Sequence, residues 1–408
     1  MPLNFGTDGV RGPVGSELDG PALRALGLAV ARRLDAERVV VGRDTRHSGP
    51  ELARALAEGL QSGGLDVVSL GVATTPAVAY VARLEMAAGA VVSASHNPWT
   101  DNGVKLFGSG GRKLTDEIQA AVQNEWEALS RVDEPTEGLI LDDAVDDRWA
   151  DALVASVAPG ALSGMRLVVD CANGATSGVA AAILTRLGAE VLEIHSAPDG
   201  RNINEGCGST YPGDLQQEVV ERAADAGLAF DGDGDRVIAV ASDGSLLDGD
   251  HLLAICAVDR LERGVLRGST VVVTPMANLG LRRGLAARGI AVHEVPVGDR
   301  YILEAMESGS WVLGGEQSGH LVFGDLATTG DGILTGIQTL DAARRAGQSL
   351  GDLAAQLVEH VPQVLVSVPV GRPGVEVTEE VADDVVVAAV DLGDGGRVLV
   401  RPSGTEPV

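Results

Sequence analysis

One arrangement occurs three times along this sequence: an apolar β-rich run, a small polar loop, a helical stretch closed by glycine, then a second apolar run. The copies open at RVVVGRDTRHSG, RLVVDCANGATSG and STVVVTPMANLG, and their second runs are LDVVSLG, AEVLEI and IAVHEVPVG. Their helices are expected from Pro50 to about Gln61, up to Leu187, and up to about Arg288. Gly63-Gly64, Gly188 and Gly289 then fit left-handed helix ends, and the Val/Leu runs suit parallel strands buried on both faces. Each copy reads as a βαβ unit. Units roughly a hundred or more residues apart predict three successive α/β domains with mixed or parallel sheets. Boundaries are expected near Val157 to Gly164, where SVAPGALSG reads as a linker, and near His251 to Gly264. A fourth segment begins near Pro362 with the alternating VLVSVPV, continues with a helix around Val375 to Val390, and closes on RVLVRPSGTEPV. The expected division is 1–157, 158–255, 256–361 and 362–408, the last a smaller α+β domain. Since the sequence stops directly after a glycine-containing loop, that domain is expected to be truncated or very small.

Composition restricts the partners. Lysine and arginine number 31 against 58 acidic residues, so the net charge is 31 − 58 = −27. Such an excess repels nucleic acid phosphates and anionic lipid, and any phosphate must be met by a local basic pocket. No run approaches the ~20 apolar residues of a spanning helix. The N-terminus MPLNFGTDGVRG has neither a basic start nor an apolar core, so no secretory signal is expected and the cytosol is the default. Cys171, Cys207 and Cys256 are far apart and odd in number, which indicates no disulfide framework and no CxxC metal site.

Four stretches carry chemistry. In Asp231-Gly232-Asp233-Gly234-Asp235-Arg236, carboxylates at i, i+2 and i+4 on an extended chain would face one side, and the glycines let them converge on one hard cation, magnesium by preference. An EF-hand loop would need glycine and glutamate at its sixth and twelfth positions, where this chain has Arg236 and Ser242. A solvated Asp/Gly turn without metal is the other reading. In VVSASHNPWTDNGVKLFG, Pro98 opposes helix continuation and leaves Ser95 in a loop at a strand end; adjacent Ser95 and His96 do not make a triad, and no GxSxG elbow is present. The only two lysines, Lys105 and Lys113, fall close behind. Lysine, unlike arginine, can be tuned toward neutrality by burial and serve as a general base. In VLGGEQSGHLVFGD, Glu316, Ser318 and His320 alternate, and an extended backbone would give them one face toward sugar hydroxyls. The fourth stretch, Arg401 to Glu406, can cradle an anion with Arg401, Ser403, Gly404 and Thr405. FGTDGVRG, with Thr7 and Arg11, has the same character.

In this order, FGTDGVRG, SASHNP, DGDGDR, GGEQSGH and RPSGTEP resemble the α-D-phosphohexomutase superfamily. The resemblance implies four domains around a central cleft, each supplying one loop. It implies a phosphorylated Ser95 that both donates and accepts the phosphoryl group. One Mg2+ per chain would be held by Asp231, Asp233, Asp235 and an oxygen on Ser95. Arg236 would contact the phosphoserine, and Lys105 would move the sugar proton with His96 and His320 as helpers. Glu316 and Ser318 would bind sugar hydroxyls, while Arg401 to Thr405 would hold the phosphate not being transferred. Gln317 stands where glucose- and mannose-handling relatives typically carry methionine. It points to the glucosamine-handling branch, which interconverts glucosamine 6-phosphate and glucosamine 1-phosphate through a 1,6-bisphosphate and feeds amino-sugar nucleotide and cell-wall synthesis. The implied partners are the hexosamine phosphate and the bisphosphate, with a homodimer left open. A glucose- or mannose-phosphate mutase, a phosphatase losing the phosphate of Ser95 to water, and a catalytically silent sugar-phosphate binder are the alternatives.

Overall fold

The computed structural model describes residues 3, 5, 6, 8–133, 143, 146–369 and 378–400. Three sheets follow one another. The first contains β1 (Val10–Pro13), β2 (Arg38–Arg43), β3 (Asp66–Val72), β4 (Ala88–Val92), β5 (Asp101–Gly108) and β6 (Arg112–Lys113), in the order β1-β5-β4-β2-β3 with β6 paired to β5. Its helices are α1 (Gly20–Arg33), α2 (Gly49–Ser62), α3 (Thr75–Leu84) and α4 (Asp116–Leu129), and α5 (Arg148–Ala155) leads to the next sheet. The second sheet is β7 (Arg166–Asp170), β8 (Glu190–Ile194), β9 (Ala226–Phe230), β10 (Val237–Ala241) and β11 (Leu246–Leu247), ordered β11-β10-β9-β7-β8, with α6 (Val179–Arg186) and α7 (Gly213–Glu221) in its connections. After α8 (Gly249–Glu262), the third sheet holds β12 (Thr270–Val273), β13 (Ala291–Glu294), β14 (Leu313–Gly315) and β15 (Leu321–Phe323) in the order β13-β12-β14-β15. α9 (Leu279–Ala286) and α10 (Asp299–Gly309) connect those strands, and α11 (Gly332–Ala346), α12 (Leu350–Leu357) and α13 (Glu379–Leu392) follow.

The three sheets share one wiring. In each, a first strand (β2, β7, β12) pairs in parallel with two later strands, and the third strand (β4, β9, β14) turns back into an antiparallel fourth (β5, β10, β15). The repeated apolar runs therefore occupy unequal places. The first run of each copy is central: Val39, Val40 and Val41 are buried, as are Leu167 to Val169 and Val271 to Val273. The second run forms the outer strand and is only partly covered, as in β8 and β13. The expected glycine helix ends are found, with Gly64, Gly188 and Gly289 at φ of +92°, +96° and +71°. Side-chain caps start the helices that abut the sheets: Thr74 accepts from Ala77 N at 3.2 Å before α3, and Asp331 accepts from Leu334 N at 2.9 Å before α11.

Two expectations about organisation change. The division sought near His251 to Gly264 coincides with α8, which is helical throughout and packs on α9, α11 and α12 of the third unit. That helix is capped at its start by Asp248, whose side chain accepts from His251 N. In the fourth segment, residues 361–369, which include most of VLVSVPV, pair with no strand, and α13 is its α-helix among the described residues. No helix among the described residues is long and apolar enough to cross a membrane.

One buried carboxyl in α8 makes stability pH-dependent. Burial pushes Asp250 up to about 7 from its ordinary 3.8, although Asn278 N donates to it at 2.6 Å. Because the folded value exceeds the unfolded one, its contribution to stability is complete below about 4 and is lost as pH rises through about 7. Asp250→Asn is expected to raise Tm at pH 8 by clearly more than at pH 5, read by calorimetry at both pH values.

Candidate active site

The chemistry-bearing stretches emerge at one topological address. Ser95 lies in the β4–β5 connection, the acidic run in the β9–β10 connection, and Glu316 to His320 in the β14–β15 connection. Each is the loop at the C-terminal end of a unit's third strand, where open parallel sheets present ligands. The first strand's loop lies beside it. In the first unit, Ser93 Oγ donates to Asp44 Oδ2 at 2.6 Å, and the buried Arg46 pairs with Asp44 at 2.8 Å. The Arg46 guanidinium then donates to the Ser95 and Asn97 carbonyls at 2.9 and 2.8 Å. Ser95 itself is fully buried and held at φ +51°, a conformation non-glycine residues seldom adopt. Its Oγ donates to Asp231 Oδ2 at 2.5 Å, a contact between the first and second units.

The acidic run is a turn and not the extended segment expected: Gly234 N bonds back to Asp231 O at 3.1 Å. Curling still brings one oxygen from each of Asp231, Asp233 and Asp235 within 4.8 Å of one another. All three residues are buried, and Asp233 Oδ1 and Asp235 Oδ1 have no hydrogen-bond donor. Unpartnered buried carboxylate oxygens beside one another are costly, and a hard cation would satisfy them. Burial, with the neighbouring charges of Asp235 and Asp233, pushes the Asp231 carboxyl well above the usual range. Gly232 permits the close approach to Ser95, because a Cβ there would meet the Ser95 carbonyl at 2.6 Å.

A cationic network lies against this turn. Lys105, on β5, is 1% exposed and sits 2.5 Å from Asp235, 2.8 Å from Asp233 and 3.0 Å from Asp8. Burial alone would lower its pKa, but Asp233, Asp235 and Asp8 outweigh it and raise the ammonium well above its ordinary value. The tuning toward neutrality expected of a buried lysine is thus reversed by its carboxylate neighbours. Lys113 bridges Asp8 at 2.5 Å and Asp299 at 2.8 Å, and Arg11 reaches Asp8 at 2.6 Å. Burial, reinforced by Arg236 and Arg11, pulls His96 down to about 4, and its Nδ1 lies 3.3 Å from Ser95 Oγ. His320 stands 3.7 Å from Asp235 and 3.8 Å from Asp299; burial opposes its protonation, but Asp235 and Asp299 win and raise it. Arg236 Nε is 3.8 Å from Asp235 Oδ1.

Glu316, Ser318 and His320 do not share one face. Gly319 N bonds to Glu316 O at 3.0 Å, closing a tight turn that leaves Ser318 exposed and His320 only 2% exposed. Glu316 is half-buried, and burial raises its carboxyl against the pull of His320 and Arg236. The Gln317 amide donates to Asp248 at 3.2 Å. The turn rests on the second unit through Val237 N to Gly319 O at 3.2 Å. Gly319 has φ +90°, and a Cβ there would lie 2.0 Å from Val237 O. Gly319→Ala is expected to cost on the order of 2–4 kcal/mol in urea unfolding, since strain and collision add.

Thr7 and the stretch Arg401, Ser403, Gly404 and Thr405 lie outside the described residues. Sequence reasoning passed over Asp8, Arg46, Thr75 and Asn204. Thr75 Oγ1 donates to Asp233 at 2.6 Å, and Asn204 Nδ2 donates to the Ser95 carbonyl at 2.9 Å. Asp8 stands inside FGTDGVRG, so that motif contained the signal; nothing in the sequence singled out the other three.

The chain matches the four domain profiles of one family across most of its length. They are phosphoglucomutase/phosphomannomutase alpha/beta/alpha domain I at residues 2–132, domain II at 147–244, domain III at 248–361, and the C-terminal domain at 365–408. It is 48% identical to a phosphoglucosamine mutase of Thermobifida fusca over 99% of this chain and 92% of that one. A second phosphoglucosamine mutase, from Symbiobacterium thermophilum, is also 48% identical, over 100% of this chain and 94% of that one. Among solved structures, a putative phosphomannomutase from Thermus thermophilus superposes with a TM-score of 0.77 at 30% identity, covering 88% of this chain and 83% of that one.

Proposed function

The chain belongs to the phosphoglucomutase/phosphomannomutase family, and we propose that it interconverts glucosamine 6-phosphate and glucosamine 1-phosphate through a phosphorylated Ser95. The relatives at 48% identity over nearly the whole chain are phosphoglucosamine mutases. The observation that carries the chemistry is the 2.5 Å contact of Ser95 Oγ with Asp231.

In this reading, the P–Oγ bond of phospho-Ser95 breaks as a P–O bond forms to the free hydroxyl of the monophosphate. That hydroxyl's proton passes to His96 or His320 and on to the departing Ser95 Oγ, beside which His96 Nδ1 lies at 3.3 Å, and the path reverses in the second transfer. Lys105, held as an ammonium by its carboxylate neighbours, adds positive charge instead. The resulting 1,6-bisphosphate turns end for end and returns its other phosphoryl group to Ser95 Oγ, which restores the enzyme. Phosphoryl transfer depends on alignment and on neutralising the equatorial oxygens. Asp231, Asp233 and Asp235, with an oxygen on Ser95, would hold one Mg2+, which when bound supplies positive charge to the transferring group. Arg236 adds fixed positive charge from the same turn, and Arg11 adds it from β1. Arg46 and Asn204 fix the backbone of Ser95 by binding its carbonyl. Glu316 and Ser318 hold sugar hydroxyls, and Arg401, Ser403, Gly404 and Thr405, with Thr7 near the opposite end of the chain, bind the phosphate that stays in place. We divide the chain as 1–157, 158–248, 249–361 and 362–408, so that α8 stays whole.

Glu316→Gln is expected to raise KM and lower kcat together, because its hydrogen bonds would be made in ground and transition states alike. Steady-state kinetics with glucosamine 6-phosphate check this. The sugar is tested by assaying glucosamine, glucose and mannose phosphates side by side. Fastest turnover of glucose 1-phosphate would overturn the choice, and release of inorganic phosphate without isomer would point to a phosphatase.

A further inference from the structure

We propose that Asp170, His195 and Cys207 form a second metal site, separate from the acidic turn and suited to a borderline-soft divalent cation of the zinc class. The three come from different connections of the second unit: Asp170 ends β7, His195 follows β8, and Cys207 precedes a single helical turn at Gly208–Thr210. One donor atom from each lies within 4.8 Å of the others. Asp170 and Cys207 are fully buried.

The donors are already oriented. Asp170 accepts from Ala172 N at 2.9 Å and Gly208 N at 2.8 Å, which fixes its carboxylate plane. His195 is held at φ +46°. Its Nδ1 lies 3.1 Å from Asp170 Oδ2, yet it is buried and makes no hydrogen bond. Its Nε2 faces Asp214 at 3.3 Å. A ligand imidazole backed on its other nitrogen by a carboxylate is the usual outer support of a bound metal. The donor chemistry also separates the two clusters. Three carboxylates select a hard ion, whereas oxygen, nitrogen and thiolate sulfur together select zinc or cobalt.

Such an ion would tie residues 195–207 to the end of β7. That segment carries Asn204, which binds the Ser95 carbonyl at 2.9 Å, and the neighbouring Gly208 abuts the carbonyl of Phe230, directly ahead of Asp231. The site is thus a positioning device behind the acidic turn.

The test uses the full chain, stripped by chelator and titrated with Co2+ in excess Mg2+. The expected result is one Mg2+-resistant Co2+ per chain with a thiolate-to-cobalt absorption band. Cys207→Ser should abolish the band, His195→Gln should weaken Co2+ binding by at least about tenfold, and Asp233→Asn should leave both unchanged. Zn2+ in place of Co2+ should raise Tm for the unaltered chain and for Asp233→Asn, but not for Cys207→Ser. Should Cys207→Ser not fold, His195→Gln alone decides. Absence of the band in the unaltered chain, or a band undiminished in His195→Gln, would overturn the proposal.

Discussion

Ser95→Ala is expected to reduce mutase turnover by about 10^4-fold or more, because the variant has no atom to carry the phosphoryl group between the two half-reactions. The alanine should fold. The methyl group fits where the side chain is already buried, and the backbone anchors on Ser95, from Arg46 and Asn204, go to its carbonyl and are kept. The φ of +51° remains for alanine as well, and strain there adds about 1–2 kcal/mol at most relative to the native residue. Coupled kinetics from glucosamine 6-phosphate supply the rate, and intact mass supplies the second readout. The native chain should take up one phosphoryl group from glucosamine 1,6-bisphosphate and the variant none. A variant with normal turnover would remove the covalent relay from the mechanism.

Asp233→Asn should raise the Mg2+ concentration for half-maximal activity at least about tenfold and lower kcat by about 10^2-fold. Asparagine keeps the shape and still offers an acceptor to Thr75, which donates to Asp233 at 2.6 Å. What disappears is one negative charge from a cluster whose Oδ1 atoms on Asp233 and Asp235 have no donor. A Mg2+ titration at saturating substrate separates this from a general folding defect, since excess Mg2+ should restore part of the rate. Chelation of the native enzyme should abolish turnover, with recovery on adding Mg2+. Unchanged half-saturation in the variant would take Asp233 out of the metal site.

The repeated βαβ pattern and the glycine helix ends were legible because they depend on local sequence. The first apolar run of each copy had to be central, being apolar without alternation. The return of β4, β9 and β14 into an antiparallel strand was not legible, because AGAVV, AGLAF and LGG are short and their pairing partners are chosen by tertiary contact. For the site, the chemical identity of Ser95 and the three aspartates could be read, whereas their backbone could not. Both the acidic run and Glu316 to His320 were expected to be extended and are turns, since glycine makes either conformation accessible and only packing selects one. Lys105 shows the same limit for electrostatics. Its burial was foreseeable, but three carboxylates from two different units decide the direction of its shift. Arg46 and Asn204 act on Ser95 from 49 and 109 residues away, a separation at which spacing in the sequence carries no information.

The three hairpin returns deliver the reacting groups from separate bodies, so no single body contains a finished reaction centre. Reactivity is therefore adjustable at the seams. Thr75, on the first body, steadies a carboxylate of the second, and Gly319, on the third, rests on the second at Val237. A replacement at such a seam shifts the reacting groups relative to one another, so the rate answers to how the bodies fit together and not only to the residues that do the chemistry.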